Sequence, residues 1–205
     1  SWTHQYSNPA NTCCSEDAIV KGPLRMLWFR DADLPVPQRH GRGPAPLFHK
    51  GYLVVEGLNA VRGADAYNGR TVWEYPLPGI LKAFNQDHLM GTAGTGSNLC
   101  AEGDSVYIHQ KEVCLRINLA TGEKLGEFKT PPTSTGKPGA WGYLAAVGGI
   151  IYGTIADPEH IVKWRYLKGE MEDLLTESKT FFALDGKTGK LLRSEERRVG
   201  KECRS

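Results

Sequence analysis

A turn motif written three times limits what this chain can fold into more than any other feature. Residues 64–73 read A-D-A-Y-N-G-R-T-V-W, and weaker copies follow at 117–128 (I-N-L-A-T-G-E-K-L-G-E-F) and 183–192 (A-L-D-G-K-T-G-K-L-L). Each copy places an apolar strand end before an Asp or Asn, then two spacers, an Asn-Gly or Thr-Gly pair and a second strand. The Asp or Asn can bond its own backbone across the turn. Gly69, Gly122 and Gly189 supply the positive φ that a tight hairpin demands. Three hairpins of one design mark a repeat protein.

Around these hairpins the sequence divides into three units. The first predicts strands at 45–48, 52–55, 60–64 and 71–75, and the second at 98–101, 105–109, 113–117 and 124–128. The third predicts 141–147, 150–155 and a strand resuming at 180–184. From the first turn glycine to the hairpin glycine the separations are 18 residues (Gly51 to Gly69), 19 (Gly103 to Gly122) and 40 (Gly149 to Gly189), so the third unit carries an insertion between about 156 and 179. A further strand is expected at 24–29 (L-R-M-L-W-F), after a turn-rich entry whose one large apolar anchor is Trp2. Residues 31–43 read as loop. With 24 Gly and 12 Pro in 205 residues, turns are frequent and long helices are not expected.

Four short antiparallel strands per unit predict an all-β fold, a partial β-propeller of about three four-stranded blades spanning 24–78, 88–132 and 141–192. A β-sandwich built of hairpins also accounts for the strands. It does not account for one turn recurring at the same place in each unit.

Residues 193–205 (R-S-E-E-R-R-V-G-K-E-C-R-S) do not continue the pattern and resemble the translation of a sequencing adapter, with a solvated basic tail as the alternative. Without that stretch, 25 Lys+Arg against 23 Asp+Glu becomes 20 against 20. Net charge therefore falls from +2 to zero and gives no support for nucleic-acid binding. The longest apolar run, 145–151, is broken by two glycines and too short to span a bilayer, and no signal-peptide pattern opens the sequence. Cys13, Cys14, Cys100 and Cys114 fall in no zinc or haem spacing. The adjacent Cys13 and Cys14 leave a vicinal disulfide open. Cys100 and Cys114 read as small buried side chains.

The A-x-D-A-x-N-G-R-x-x-W and A-L-D-x-x-T-G-K-L patterns resemble the repeat of the pyrroloquinoline-quinone (PQQ) propeller family, within the wider class of WD40- and YVTN-like repeats. That family includes quinoprotein alcohol dehydrogenases and a non-enzymatic outer-membrane assembly lipoprotein. The resemblance covers about 24–192 and implies a bacterial, extracytoplasmic protein whose complete ring has eight blades. In the family a Trp four residues after the turn glycine docks between blades, and Trp73 holds that place. In the second unit Gly126 stands there, with Phe128 two residues on to fill the space. In the third the position is Arg193, where the adapter-like sequence begins.

For the enzymes of this family, the resemblance implies PQQ over an axial Trp, calcium held by carboxylate and amide oxygens, an Asp base and a vicinal disulfide. No local cluster of acidic ligands stands out here, and Cys13-Cys14 precedes the first unit in a different setting, so none of these roles is assigned to a residue. Two loops hold more chemistry than folding needs. Arg39, His40 and Arg42 combine two guanidinium groups with an imidazole, suited to a carboxylate or phosphate. The Gly-, Thr- and Ser-rich stretch 88–98, beginning at His88, offers backbone N–H groups for an anion. Solvated or connecting loops are the simpler account of both. No Ser-His-Asp or Cys-His set can be nominated, and His109 reads as a packed or surface strand residue rather than a ligand. The expectation is a binding or scaffold propeller with a protein partner or small ligand on one face, or else a fragment of a PQQ-dependent dehydrogenase.

Overall fold

The computed structural model describes residues 1–15, 17–19, 21–30, 33–36, 44–81, 98–133, 136–156 and 180–196. All regular structure among them is β. The twelve strands are β1 (Leu47–His49), β2 (Tyr52–Glu56), β3 (Ala60–Asp65), β4 (Thr71–Pro76), β5 (Leu99–Glu102), β6 (Ser105–Gln110), β7 (Val113–Asn118), β8 (Lys124–Lys129), β9 (Ala140–Val147), β10 (Ile150–Ala156), β11 (Thr180–Asp185) and β12 (Leu191–Glu196). They form three antiparallel sheets, each four strands in simple chain order: β1 to β4, β5 to β8 and β9 to β12. The first strands of successive sheets are neighbours, β1 beside β5 and β5 beside β9. Each sheet is therefore a blade whose first strand lies innermost.

The repeated turn closes identically three times. The amides of Gly69, Gly122 and Gly189 donate to the carbonyls of Asp65, Asn118 and Asp185 at 2.8, 2.9 and 2.8 Å. Oδ1 of the same Asp or Asn accepts the backbone N–H two residues on, at Tyr67, Ala120 and Lys187. The three glycines have φ of 72°, 74° and 70°.

Strand alternation sends Val54 and Val61 to the face that meets the second blade, where they form one core with Leu47, Leu99, Val106, Ile108 and Ile117. A second core, including Cys100, Cys114, Trp141, Ile151 and Phe182, lies between the second and third blades. The apolar area is thus buried between sheets, and a blade is stable only against its neighbour.

Trp73 shows how neighbours lock. It is buried, its indole Nε1 donates to the Leu119 carbonyl at 2.7 Å, and its ring lies on Gly122 of the next blade's turn. A Cβ on Gly122 would come within 2.7 Å of Trp73 Cβ and Cγ. The indole fits because its cross-strand partner is Gly63. In the second blade the sizes are exchanged: Arg116 is paired with Gly126. Phe128 reaches the turn glycine Gly189, and the Arg116 guanidinium donates to the Gly186 carbonyl at 3.4 Å, the place an indole N–H would serve. In the third, Arg193 pairs with Ala183, and its guanidinium is held by Glu195.

One expected strand is absent. Among the described residues, segment 24–29 has no sheet partner and adopts no strand, because sequence can mark a strand by its residues but the ladder needs a second chain segment. The segment is anchored instead through Trp28. The N-terminal entry has a defined place as well. Trp2 exchanges backbone hydrogen bonds with Phe48 on β1 at 2.7 and 2.8 Å, the Thr3 carbonyl accepts from Ala101 on β5 at 2.9 Å, and His4 Nε2 accepts from Ala146 on β9 at 3.3 Å. Three consecutive residues thus cross the inner strands of all three blades.

Candidate functional site

The inner strands begin at one end of the blades, and the second strands finish there. Buried polar groups at this end bond from blade to blade. Asn98, immediately before β5, donates from Nδ2 to Glu56 Oε1, at the close of β2, at 2.8 Å. His109, near the close of β6, sits against Trp141 with ring centroids 6.0 Å apart, and its Nε2 is 2.8 Å from the Gly142 carbonyl. Since a carbonyl only accepts, Nε2 carries the proton. Trp141 Nε1 donates to the Glu112 carbonyl at 3.1 Å, and the more exposed Gln110 donates from Nε2 to that of Pro78 at 3.0 Å.

Pairing is incomplete around Glu56. Residues 54 and 56 share a face of β2, so the pleat that buries Val54 also buries a carboxyl. Its Oε2 and the Oδ1 of Asn98 are buried without a hydrogen-bond partner. Loss of hydration pushes the Glu56 pKa up to about 8, only partly offset by the Asn98 hydrogen bond. At neutral pH this is a protonated acid beside an amide. It can serve as a proton donor or supply a hard oxygen.

Burial also holds the imidazoles neutral: desolvation lowers the pKa of His4 and of His109 to about 4. His4 accepts at Nε2 from Ala146, which leaves its proton on Nδ1, 2.9 Å from Thr3 Oγ1. Cys13 and Cys14 are exposed free thiols, whereas Cys100 and Cys114 are buried, with burial raising both thiol pKa values.

The loop residues expected to contact a ligand, Arg39, His40, Arg42 and His88, lie outside the described residues, as do the Gly-rich stretch up to Asn98 and most of the insertion at 156–179. Of the two places open to His109, packed or surface strand, the structure gives the packed one, and Cys100 and Cys114 are the small buried side chains anticipated. Glu56 and Asn98 were not singled out from the sequence; the one signal available for Glu56 is alternation, which puts a carboxylate two residues beyond Val54 on a core-facing position.

No protein-family model matches the sequence, and no curated protein matches it. Solved structures do match. A quinohemoprotein alcohol dehydrogenase, ADHIIG, from Pseudomonas putida HK5 superposes with a TM-score of 0.51 at 16% identity, over 80% of this chain and 22% of its own. The fold is a partial β-propeller. The quinohemoprotein alcohol dehydrogenase of Comamonas testosteroni gives 0.49 at 16% identity, over 77% of this chain and 21% of its own. BamB from Moraxella catarrhalis gives 0.44 at 14% identity, over 74% and 35%. The chain therefore spans about a fifth to a third of the length of these structures, and at such identities the likeness is one of fold.

The donor set for calcium can be tested on the residues themselves. Calcium takes six to eight oxygens, and the orphaned pair at Glu56 and Asn98 supplies two. Among the described residues no group of three or more His, Cys, Asp or Glu side chains converges. Trp28, Trp73 and Trp141 each give their indole N–H to a neighbouring backbone carbonyl. These residues do not amount to a quinone and calcium site. Nor is any helix among them long and apolar enough to cross a membrane.

Proposed function

We propose that the chain is part of a binding or scaffold propeller, in which the end carrying Glu56, Asn98, His109 and Trp141 is a fixed frame for loops that engage a protein partner or small ligand. The observation that carries this reading is the use of the buried polar groups at that end: Asn98 to Glu56, His109 to Gly142 and Trp141 to Glu112 all tie one blade to the next. Groups spent on holding blades in register make a rigid platform, which lowers the ordering cost of binding. Arg39, His40, Arg42 and His88 are the loop residues nominated for contact. An extracytoplasmic setting follows from the repeat resemblance.

A second reading, a fragment of a PQQ-dependent dehydrogenase, is favoured by one observation, the two unpartnered oxygens of Glu56 and Asn98. Titrating the full-length protein of which this chain is a part with PQQ and calcium separates the two. The scaffold reading expects no quinone absorbance retained on the protein and no dye-linked alcohol oxidation. Stoichiometric quinone with turnover would replace it with the second.

A further inference from the structure

We propose that Glu56 and Asn98 form a proton-held clasp between the first two blades: Glu56 Oε2 carries a hydrogen that it donates to Asn98 Oδ1, closing an acid–amide ring, and removal of that hydrogen opens the junction at this end. Two orphaned atoms carry the argument. Asn98 Nδ2 already donates to Glu56 Oε1 at 2.8 Å, and the atoms left without a partner are the second polar atom of each group, Oε2 and Oδ1. Both are oxygens, so neither can bond the other while the carboxyl is ionised. One proton on Oε2 makes it a donor and gives Oδ1 the partner it lacks. Carboxyl and carboxamide are planar groups of nearly the same shape, and edge to edge their second atoms meet when their first atoms do. A single hydrogen thus satisfies both buried atoms, where an ionised carboxyl leaves both unpaired.

The surroundings favour that proton. Glu56 and Asn98 are each 4% exposed, so hydration does not replace the missing partners. Glu56 is paired across the sheet with Val61 and shares its strand face with Val54, and Leu99 follows Asn98; all three apolar residues belong to the core between the first two blades. The charged and titratable groups of the neighbouring strands are engaged elsewhere. His49, at the far end of β1, meets the Gly103 carbonyl, and Arg62 on β3 is held by Asp33 and Glu74. Glu102 on β5 accepts from Gly149, His109 on β6 donates to Gly142 and Arg116 on β7 donates to Ser105. Burial accordingly raises the Glu56 pKa to about 8, and among the described residues Asn98 is the only side chain acting against that rise.

Titration then works as a switch. Glu56 closes β2 and Asn98 stands immediately before β5, so the ring ties the first blade to the start of the second. The Asn98 carbonyl in turn accepts from the His109 amide at 3.0 Å. Ionisation removes the O–H bond and sets a charged Oε2 against Oδ1 in a dry site, where an uncompensated charge is costly. The clasp is whole below the Glu56 pKa of about 8 and opens above it. It does not depend on what the loops at this end engage.

The test uses the 205-residue chain. In its proton NMR spectrum at pH 6.5 the proposal expects a carboxyl proton downfield of the backbone amides, with a cross-peak to the Asn98 side-chain amide, that is absent from Glu56→Gln. It also expects the protection factor of the His109 amide, corrected for base catalysis, to fall at least tenfold between pH 6.5 and 9 in the wild type. In Glu56→Gln, whose amide closes the same ring without a titrating proton, protection should hold. Exchanging the groups, with Glu56→Gln and Asn98→Asp together, should restore both the carboxyl proton and the alkaline fall. A missing carboxyl proton, a Glu56 carboxyl carbon signal already ionised at pH 6.5, or His109 protection that falls equally in Glu56→Gln would overturn the proposal, as would an exchanged pair that folds without the alkaline fall. The wild type and Glu56→Gln decide the matter even where the exchanged pair does not fold.

Discussion

Replacing Glu56 by Gln should remove the alkaline weakness of this protein. Burial raises the Glu56 pKa to about 8 from 4.5, so between those values the folded carboxyl stays protonated while the unfolded one is ionised. Unfolding releases a proton throughout that window, and stability therefore falls as pH rises through it. Each tenfold change in an acid dissociation constant corresponds to about 1.4 kcal/mol, which sets a ceiling on the order of 5 kcal/mol for the whole window. From pH 6.5 to 8 the Glu56 carboxyl alone should withdraw roughly 1.5–2 kcal/mol, about 3–8 °C in melting temperature for a chain of this size. Gln keeps the amide-accepting oxygen and cannot ionise. Glu56→Gln should therefore be nearly flat over the same interval and more stable than wild type at pH 8, by up to about 4 kcal/mol. Urea melts of both proteins at pH 5, 6.5 and 8 provide the readout. A wild-type protein more stable at pH 8 than at 6.5, or an unchanged alkaline slope in Glu56→Gln, would refute the reasoning.

On the acid side the two buried imidazoles take over. Their folded pKa values are depressed to about 4 from 6.5, so the stability they contribute is present above 6.5 and is lost as pH falls toward 4. Together with Glu56 this predicts a stability maximum near pH 6.5, and His109→Gln should flatten the acid limb of melts recorded from pH 4 to 6.5. Thiol labelling followed by peptide mass analysis should find Cys13 and Cys14 modified within minutes in the native protein. Cys100 and Cys114, buried with raised pKa values, should be protected until denaturant is added.

The blades were legible because their signals are local. Alternation fixes which residues of a strand share a face, and an Asp or Asn four residues before a glycine fixes the hairpin. Hence the strands around Gly69 and Gly122 fall within a residue or two of their expected places. The expected role of Trp73 also follows from one position in the repeat. Segment 24–29 went the other way: its residues favour a strand, but a ladder depends on a partner that no local pattern contains. Gly126 in the place of the Trp was legible, but its pairing with Arg116, as Trp73 pairs with Gly63, was hidden for the same reason, since cross-strand pairing joins residues ten apart in sequence. Glu56 and Asn98 lie 42 residues apart and meet only because two blades pack. The entry segment offered Trp2 as an anchor but gave no sign that Thr3 and His4 bond to the second and third blades.

The central structural claim, blades locked by an aromatic ring seated on the next blade's turn glycine, is tested most directly by Gly122→Ala against Gly103→Ala, each made in the wild-type chain and in the Trp73→Ala background. Both glycines have positive φ, 74° and 58°, so each Ala costs about 1–2 kcal/mol for the left-handed backbone. A Cβ at Gly103 meets nothing within 4 Å, while one at Gly122 meets Trp73, adding about 1–3 kcal/mol of overpacking. With Trp73 present, Gly122→Ala should be the costlier change in urea melts, and in the Trp73→Ala background that excess should fall by more than half. Equal costs for the two glycines, or an excess that does not depend on Trp73, would contradict the account.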